Sequence, residues 1–456
     1  MRQRPEAIEA VLVDLLAGPC AQAGEAGQRP LLLIIDDLEQ ILVADPAGPH
    51  RVAPEHARVL AGVLRAFDPA ETDSRLLITS RFTFTLDGLQ TRLHPVPLRP
   101  LSPVAQRKLQ RRHQALTPPD RLAERSGLAG RALAVSRGNP GLQDLIGLRL
   151  VYGEQVGPER AEAAVAGMEA YLRKGDLPAD AEVRAFLENL ALDTLLQEAG
   201  AANVALLRAA TLFALPVPEA VIGVLAGQVG GSAARLRGLG LLAPYPDRYD
   251  PARPALAADP LATGRVEPLS PREQAALAAA SAGPLFAAWG GAAAQLGRDL
   301  VLDLQLTQLA LLADDPAITA ASAPGAVTAL RSGPAADASR LGQDAVELLD
   351  RHGRTVPLEL LRRSADAALT SGDGETGEAL LNRAVQQAEA GNQEAGPLDQ
   401  ARVIADRARH LITRGEPEQA EQALRHAHQL FTAGESEAYR ETSPMVDHVV
   451  GRVRQK

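Results

Sequence analysis

Residues 31–37 read LLLIIDD, and this stretch decides the fold of the N-terminal part of the chain. Five aliphatic residues in a row, without polar alternation, predict a strand that is buried on both faces, as in a parallel sheet between helices. A second run, RLLITSR at 75–81, follows a helical stretch at 54–67. A third short β segment is predicted at 91–98. This β-α-β order predicts a small parallel sheet.

The polar residues that follow the two runs predict a site at one edge of this sheet. Asp36 and Asp37 come directly after the first run, and Arg81 closes the second. Ligands bind at the carboxyl ends of parallel strands, where one carboxylate can hold Mg²⁺ through water, another can orient an attacking water, and an arginine can clamp a phosphate. The alternative stays open that the aspartates only end a strand and the arginine is an ordinary surface residue.

A sharp turn inside the helical region is a second candidate position. From residue 101 onward the periodicity is helical, beginning with the capping pair Ser102-Pro103. At 136–142 the chain reads SRGNPGL, so Gly138 lies in the turn and Pro140 precedes an apolar helix. A proline at such a turn can lie against an adenine ring, or it can simply start the helix.

The middle of the chain has a pattern that is typical of a winged helix. Three short helices are predicted, at 204–213, 218–226 and 232–238. The segment 240–250 is predicted to be a hairpin with its turn near Pro246. If this motif contacted DNA, the phosphate contacts would come from Arg235, Arg237 and Arg248.

The C-terminal part contains an internal repeat. Residues 372–384, GDGETGEALLNRA, align without gaps on residues 415–427, GEPEQAEQALRHA, at an offset of 43 residues. A glycine followed by small residues at helical spacing is typical of the turn and second helix of a tetratricopeptide-like hairpin. Such hairpins stack into a solenoid that binds partners, so we expect a protein partner on these repeats.

Composition restricts the class of protein. Of the 456 residues, 46% are hydrophobic and only 3% aromatic, so alanine and leucine supply most of the apolar area and helices are favoured over β-sandwiches. The formal net charge of −9 argues against a nucleic-acid footprint over the whole protein. The single cysteine, Cys20, suits a reducing cytosol. Only three of the 47 basic residues are lysines, an arginine bias that we expect of a GC-rich bacterial genome.

Two further stretches leave alternatives open. Residues 274–297 carry no charge but are mostly alanine and glycine, and they predict packed helices rather than a membrane span. The cluster RKLQRRH at 107–113 places basic residues at helical spacing. It predicts a solvated or phosphate-facing helix surface, with DNA contact as the alternative.

Taken in order, these motifs resemble the signal-transduction NTPases with numerous domains, the STAND group that includes NB-ARC and NACHT proteins. The resemblance covers about residues 5–270. Its parts are the Walker B strand at 31–40, the sensor strand at 75–81, the linker into the helical lid at 97–102, the GxP motif of the lid at 138–140 and the winged helix at 236–249. Asp259 stands where these proteins often have a histidine that faces the nucleotide.

The resemblance implies a role for each matching residue. Asp36 would hold Mg²⁺, Asp37 would orient the attacking water, Arg81 would read the γ-phosphate, and Gly138 and Pro140 would form the adenine side of the site. It also implies ATP or ADP with Mg²⁺ as cofactors and an ATPase of the P-loop superfamily as the activity.

The phosphate-binding loop of that superfamily is missing from the printed sequence. No G-x-x-x-x-G-K-[ST] precedes residue 31. Losing about four charge-assisted contacts at roughly 1.5–3 kcal/mol each removes about 6–12 kcal/mol, whereas a micromolar ligand has about 8 kcal/mol in total. We therefore expect this chain not to bind ATP usefully by itself. It is either part of a longer protein, which we favour because the sheet would otherwise lose a central strand, or a stand-alone pseudo-NTPase.

The sequence thus predicts a mainly α chain with a partial α/β domain. The expected parts are a truncated nucleotide-binding domain at 1–100, a helical lid at 101–200, a winged helix at 201–270 and a helical-repeat solenoid at 271–456. The expected function is that of the C-terminal portion of a cytoplasmic STAND-type ATPase switch, with self-association as a further expectation and with neither nucleic acid nor membrane as a partner. The alternatives are a non-enzymatic scaffold and a winged-helix transcription regulator.

Overall fold

The structure of the chain is a computed structural model. It describes residues 6–22, 29–43, 49–80, 82–174, 177, 180–294, 297–331, 333, 335–390 and 397–433. The chain divides into two compact units, Met1–Leu98 and Arg99–Lys456, which are described one at a time. Within the described ranges, no helix has both the length and the apolar character that crossing a membrane requires.

The first unit contains a parallel strand pair, a small mixed sheet and two longer helices. Its elements are α1 (Glu6–Ala17), β1 (Leu32–Ile35), β2 (Leu42–Val43), β3 (His50–Val52), α2 (Pro54–Ala66), β4 (Arg75–Ile78) and β5 (Phe84–Thr85). β1 and β4 pair in parallel, with Leu32 opposite Arg75 and Ile35 opposite Ile78. The predicted parallel pairing of the two aliphatic runs is therefore confirmed. β3 lies between β2 and β5 in the second sheet.

The prediction that β1 is buried on both faces is wrong. Ile35 and Ile78 pack into a core that includes Leu64 of α2, whereas Leu32 and Ile34 are 57% and 55% exposed. Successive side chains of a strand point to opposite faces of its sheet. The described residues of this unit cover only one of those faces, so alternate aliphatic side chains of β1 meet solvent.

The β segment predicted at 91–98 does not form. A 3₁₀ turn at Leu89–Arg92 takes up its beginning, and no strand follows up to residue 98. Pro95 and Pro97 lack the amide hydrogen that a strand ladder needs, which explains the difference. The strand that pairs in parallel with β3 is β5, outside the predicted range.

The second unit begins with helices that lack a sheet. They are α3 (Pro103–Ala115), α4 (Pro119–Val135), α5 (Pro140–Leu142), α6 (Pro158–Leu172) and α7 (Asp180–Ala199), and α5 continues into a π-helix at Gln143–Val151. The first four begin with proline, whose missing amide hydrogen has no partner to lose in a first turn. The side-chain oxygens of Ser102 and Asn139 cap α3 and α5.

Three short helices and a hairpin follow, as predicted. The elements are α8 (Ala201–Ala210), β6 (Val217–Pro218), α9 (Glu219–Val229), α10 (Ala233–Gly238), β7 (Leu242–Pro246), β8 (Pro254–Ala258) and α11 (Pro260–Thr263). The three strands form an antiparallel sheet in the order β6-β8-β7. The hairpin is longer than predicted, because its second strand starts at Pro254 and a seven-residue turn at 247–253 separates the strands.

The remaining described residues, up to residue 433, form a series of helix pairs. They are α12 (Pro271–Ala288), α13 (Leu300–Ala313), α14 (Pro316–Leu330), α15 (Ala335–Arg351), α16 (Leu358–Ser371), α17 (Gly374–Glu389), α18 (Pro397–Arg414) and α19 (Pro417–Ala433). Gly372 and Gly415 stand at equivalent places, one before α17 and one before α19, and both have positive φ angles, of 93° and 79°. The repeat read from the sequence is thus a repeat of structure, with glycine in the left-handed turn of each pair.

The hydrophobic core of the second unit is shared between its parts. One cluster of buried apolar residues extends from Leu128 in α4 to Ile318 in α14. A second extends from Ala323 to Val403 along the stacked helix pairs. The chain is therefore mainly helical, with a partial α/β unit and a C-terminal helical stack, as the sequence predicts.

Candidate functional site

The carboxyl ends of β1 and β4 are joined by hydrogen bonds to Thr79. Its hydroxyl group donates to the carboxylate of Asp36. The same oxygen accepts the backbone N–H of Asp37 at 3.0 Å, and the carbonyl of Thr79 accepts the backbone N–H of Leu38 at 2.9 Å. The two aspartates and the end of β4 therefore lie at one rim of the strand pair, as expected from the parallel register.

Asp37 occupies a left-handed backbone conformation, with φ 53° and ψ 49°. This conformation is uncommon outside glycine, although aspartate tolerates it better than most residues. It turns the chain so that Leu38 is 2% exposed in the core of the unit while the carboxylate of Asp37 is in solvent. The turn thus serves to bury Leu38, and it leaves the carboxylate of Asp37 exposed beside Asp36.

The third member of the predicted site, Arg81, lies outside the described residues. Its neighbours on both sides are placed: the backbone N–H of Phe82 donates to the Ser80 side chain at 3.1 Å. The structure therefore brings Asp36 and Asp37 together at the rim, and the role expected of Arg81 stays a prediction.

The described residues of this rim do not by themselves fit ATP with Mg²⁺. Asp36 is an exposed carboxylate with one oxygen already engaged by Thr79. The described part of the chain contains no group of three or more acidic, histidine or cysteine side chains that could hold a metal ion. A phosphate site also needs free backbone N–H groups, but those of Asp37 and Leu38 are both donated to Thr79. We therefore derive no chemical step through a nucleotide at this rim.

Gly138 is required by the packing of the turn in which it lies. It has a φ angle of 76°, and its carbonyl accepts the backbone N–H of Leu101 at 2.8 Å. A β-carbon at this position would come within 3.0 Å of Leu101, Pro100 and Gln106. Gly138 thus holds the segment before α3 against the start of α5.

Pro140 is exposed as the first residue of α5. The preceding residue, Asn139, accepts the backbone N–H of Leu142 at 3.0 Å and so caps the helix. The ring of Pro140 is consequently fixed and open to solvent, which is compatible with contact to a planar ligand. Its role toward adenine stays a prediction.

Asp259, at the position where the resemblance suggests a histidine, has a different set of partners. Its carboxylate caps α11 through the backbone N–H of Leu261 at 3.0 Å. It also accepts a hydrogen bond of 2.7 Å from Arg149, which donates to the carbonyl of Gly240 at 2.9 Å as well. Sequence reasoning missed Arg149, because its partner is 110 residues away and no local motif marks it.

The tip of the β7–β8 hairpin is fastened to the helices that follow it. Asp247, only 1% exposed, accepts the indole N–H of Trp289 at 3.2 Å. Arg248 pairs with Asp299 at 2.6 Å, just before α13. The hydroxyl of Tyr249 fills the space where a side chain on Gly290 would lie. The hairpin is therefore packed into the molecule.

The arginines that a DNA-contacting winged helix would use have carboxylate partners within the chain. Arg235 lies 3.6 Å from Glu198, and Arg237 lies 3.3 Å from Glu219. Arg248, the third, is the residue paired with Asp299. A DNA phosphate would have to displace these contacts.

The helical stack contains a network of half-buried charges and an open groove. Burial would raise the pKa of Glu359, but hydrogen bonds from Arg362 and the nearby charges of Arg362 and Arg363 hold it below its usual value. Arg362 also reaches Asp406 of α18 at 2.7 Å, so the network joins successive helix pairs.

A groove of about 570 Å³ lies between α13 and α15, and Leu312 lines it.

Comparison with known proteins gives a limited result. No protein-family model and no curated protein matches this chain. Among solved structures, the chain is similar to a Signal Transduction ATPase with Numerous Domains (STAND) protein with a tetratricopeptide repeat sensor from Pyrococcus horikoshii. The match has a TM-score of 0.41 and 14% sequence identity, and it covers 88% of this chain. The chain spans half the length of that protein, since 50% of it is covered. At this level of similarity the match carries no argument about the fold or function of this chain.

Proposed function

We propose that this chain is the sensor and relay portion of a STAND-type signalling ATPase from a bacterial cytoplasm. Its C-terminal helix pairs bind a protein partner, and the helices and hairpin between residues 101 and 270 pass the effect of binding toward the N-terminal unit. The ordered motifs of the sequence and the repeat of helix pairs support this proposal.

The observation that carries the proposal is the attachment of the hairpin tip. Asp247 is bonded to Trp289, and Arg248 is bonded to Asp299. The hydrophobic cluster that begins at Leu128 also continues past these contacts to Ile318. The helical lid, the winged helix and the first repeat helices are thereby packed as one body. A partner that displaces the repeats would move the lid with them, which is what a relay requires.

The nucleotide site of the proposed switch needs residues that the printed sequence does not contain. We expect the genomic reading frame upstream of Met1 to encode a strand followed by G-x-x-x-x-G-K-[ST] within about a hundred codons, because that is the length of the missing half of such a domain. Sequencing this region is the most direct test. An in-frame stop codon between Met1 and any such upstream motif would contradict the proposal.

Calorimetry tests the nucleotide competence of this chain itself. Titration of ATP with Mg²⁺ into the chain, with the Asp36→Ala variant as control, should give no saturable heat at micromolar concentrations for either protein. The reason is that the N–H groups of Asp37 and Leu38 are already used by Thr79. Micromolar binding that disappears in the Asp36 variant would contradict this expectation.

A non-enzymatic scaffold is the second candidate. It is favoured because the backbone N–H groups of Asp37 and Leu38 donate to Thr79 and are not free to bind a phosphate. In that case a longer chain with an upstream segment would also fail to respond to ATP. A winged-helix transcription regulator is disfavoured, because Arg235, Arg237 and Arg248 are paired within the chain. A gel shift at low ionic strength that weakens with salt and depends on these arginines would restore that candidate.

A further inference from the structure

Helix α3 carries four cations and no acidic residue. Its sequence, PVAQRKLQRRHQA, places Arg107, Lys108, Arg111 and Arg112 within two turns. All four side chains are exposed, and none of them has an ion pair with a described carboxylate. Like charges four residues apart on a helix repel each other. The like-charge pairs of this surface, here called the basic face, therefore offset part of what its last-turn cations gain from the helix dipole.

Single exposed arginines without a carboxylate partner, such as Arg272 and Arg340, occur elsewhere in the described chain, but on α3 four such cations lie within six residues. Elsewhere in the same unit, exposed or half-buried arginines meet acids: Arg131 pairs with Glu169 at 2.7 Å, and Arg265 pairs with Asp193 at 2.6 Å. The whole chain has more acidic than basic residues. The basic face is therefore not a consequence of a shortage of acids.

The opposite side of α3 is fixed to the π-helix. The carbonyl of Gln106 accepts a hydrogen bond of 2.7 Å from the side chain of Gln143. His113, which belongs to the predicted basic cluster but is only 2% exposed, lies 2.6 Å from Asp144. The basic face is thus presented on a rigid helix, so a partner would lose little free energy in ordering it.

An apolar residue stands at each end of the basic face. Val104, one turn before the cations, is 65% exposed, and Leu116, one turn after them, is 66% exposed. Leu116, the C-cap of α3, is twelve positions after Val104, which corresponds to about 18 Å at 1.5 Å per residue. The complement of this surface is a helix of similar length with carboxylates in its middle and an apolar residue near each end.

The charge of the rest of the chain argues for a short partner. The net charge is −9, so the chain without these four cations carries −13. A duplex nucleic acid or a bilayer would extend beyond the 18 Å face by more than the screening length of about 8–10 Å, whereas the chain outside this face has a net negative charge. The face also offers no aromatic side chain on which a base could stack. We propose that the basic face of α3 binds a short acidic amphipathic helix of a partner protein.

This proposal is separate from the proposed function, since it assigns a second partner surface outside the repeats and needs no nucleotide. The probe is a fluorescein-labelled synthetic helix of glutamate, alanine and leucine, with four glutamates on one face and a leucine near each end. A second peptide has both leucines replaced by alanine. Short duplex DNA and vesicles of phosphatidylglycerol with phosphatidylcholine serve as competing polyanions.

Four proteins are compared by fluorescence anisotropy at low and moderate salt. They are the natural chain, a neutralised variant with R107Q, K108Q, R111Q and R112Q, a control variant with R29Q, R272Q, R340Q and R354Q, and an apolar variant with V104S and L116S. The control changes the net charge by the same amount at exposed arginines elsewhere. Thermal unfolding of each variant shows whether it is folded. The neutralised variant should be close in stability to the natural chain, because the like-charge repulsion that it loses offsets the loss of last-turn cations at the helix dipole.

We expect the leucine peptide to bind the natural chain and the control equally, and the neutralised variant about tenfold or more weakly. The apolar variant should bind the two peptides equally, with the weaker affinity that the natural chain has for the alanine peptide. Three results would overturn the proposal: no binding of either peptide to the natural chain, equal binding to the neutralised variant, or tighter binding of DNA or anionic vesicles than of the leucine peptide.

Discussion

The guanidinium of Arg149 lies 2.7 Å from the carboxylate of Asp259, which is 6% exposed. Arg149 belongs to the π-helix at 143–151, whereas Asp259 ends the hairpin and caps α11. The arginine also donates to the carbonyl of Gly240, at the start of the hairpin. The Arg149 side chain therefore links the π-helix to the residue that follows β8 and to a residue just before β7.

Replacing Asp259 should destabilise this junction. Asp259→Ala removes a helix cap and leaves Arg149 without its carboxylate, so we expect a loss of about 2–4 kcal/mol in the free energy of unfolding. Asp259→Asn keeps an oxygen that can cap the helix and should cost less. Urea denaturation followed by circular dichroism measures both values. An asparagine variant as unstable as the alanine variant would show that the cap contributes little.

Gly138 should be less replaceable than other glycines with a positive φ angle. Gly138→Ala adds the strain of a left-handed backbone and a β-carbon within 3.0 Å of Leu101 and Gln106. Gly353→Ala adds only the strain, because nothing lies within 4 Å of that position. We expect the Gly138 variant to lose about 1–3 kcal/mol more than the Gly353 variant. Equal losses would mean that the segment before α3 moves away from the added β-carbon without a loss in the free energy of unfolding.

The sequence predicts most of the local elements correctly because their causes are local. The cap at Ser102 and the glycine turns before α17 and α19 follow from nearby residues. The parallel pairing of the two aliphatic runs follows from the helix between them. The strand predicted at 91–98 does not form, because Pro95 and Pro97 interrupt its aliphatic residues and lack the amide hydrogen of a strand ladder. The prediction that β1 is buried on both faces is wrong, because the sequence of a strand does not determine which elements pack against its two faces.

The contacts that define the candidate relay could not be predicted in this way. Arg149 and Asp259 are 110 residues apart, and Asp247 and Trp289 are 42 apart. No local pattern in the sequence marks these residues as partners, because only the fold brings each pair together. At the sheet rim, the sequence correctly placed two aspartates after a strand. It did not predict that Thr79 would take up the N–H groups that follow them.

The Glu273 carboxylate should give the second unit a stability that depends on pH. Hydrogen bonds from Arg208 and from Ser270 lower the pKa of Glu273 to about 2, from 4.5. A lowered pKa in the folded state means that the stabilisation is present above pH 4.5 and is lost as the pH falls toward 2. The difference in melting temperature between the natural chain and Glu273→Gln should therefore shrink over that range.

A matched control separates this effect from general acid destabilisation. Glu347→Gln makes the same chemical change at an exposed position on α15 that has no ion pair with a described residue. Its melting temperature should follow that of the natural chain at every pH. A gap between Glu273→Gln and the natural chain that stays constant down to pH 2 would contradict the assignment.

Trp289, the only tryptophan of the chain, should report on the attachment of the hairpin tip. It is fully buried, and its indole N–H donates to Asp247, which also accepts the backbone N–H of Tyr249 at 2.8 Å. Asp247→Ala removes both acceptors, so we expect a loss of about 2–4 kcal/mol and a red shift of the tryptophan emission. Asp250→Ala, in the same turn but exposed, should change neither. Unchanged emission in Asp247→Ala would mean that the hairpin stays attached without this contact, and the relay would then depend on the apolar core alone.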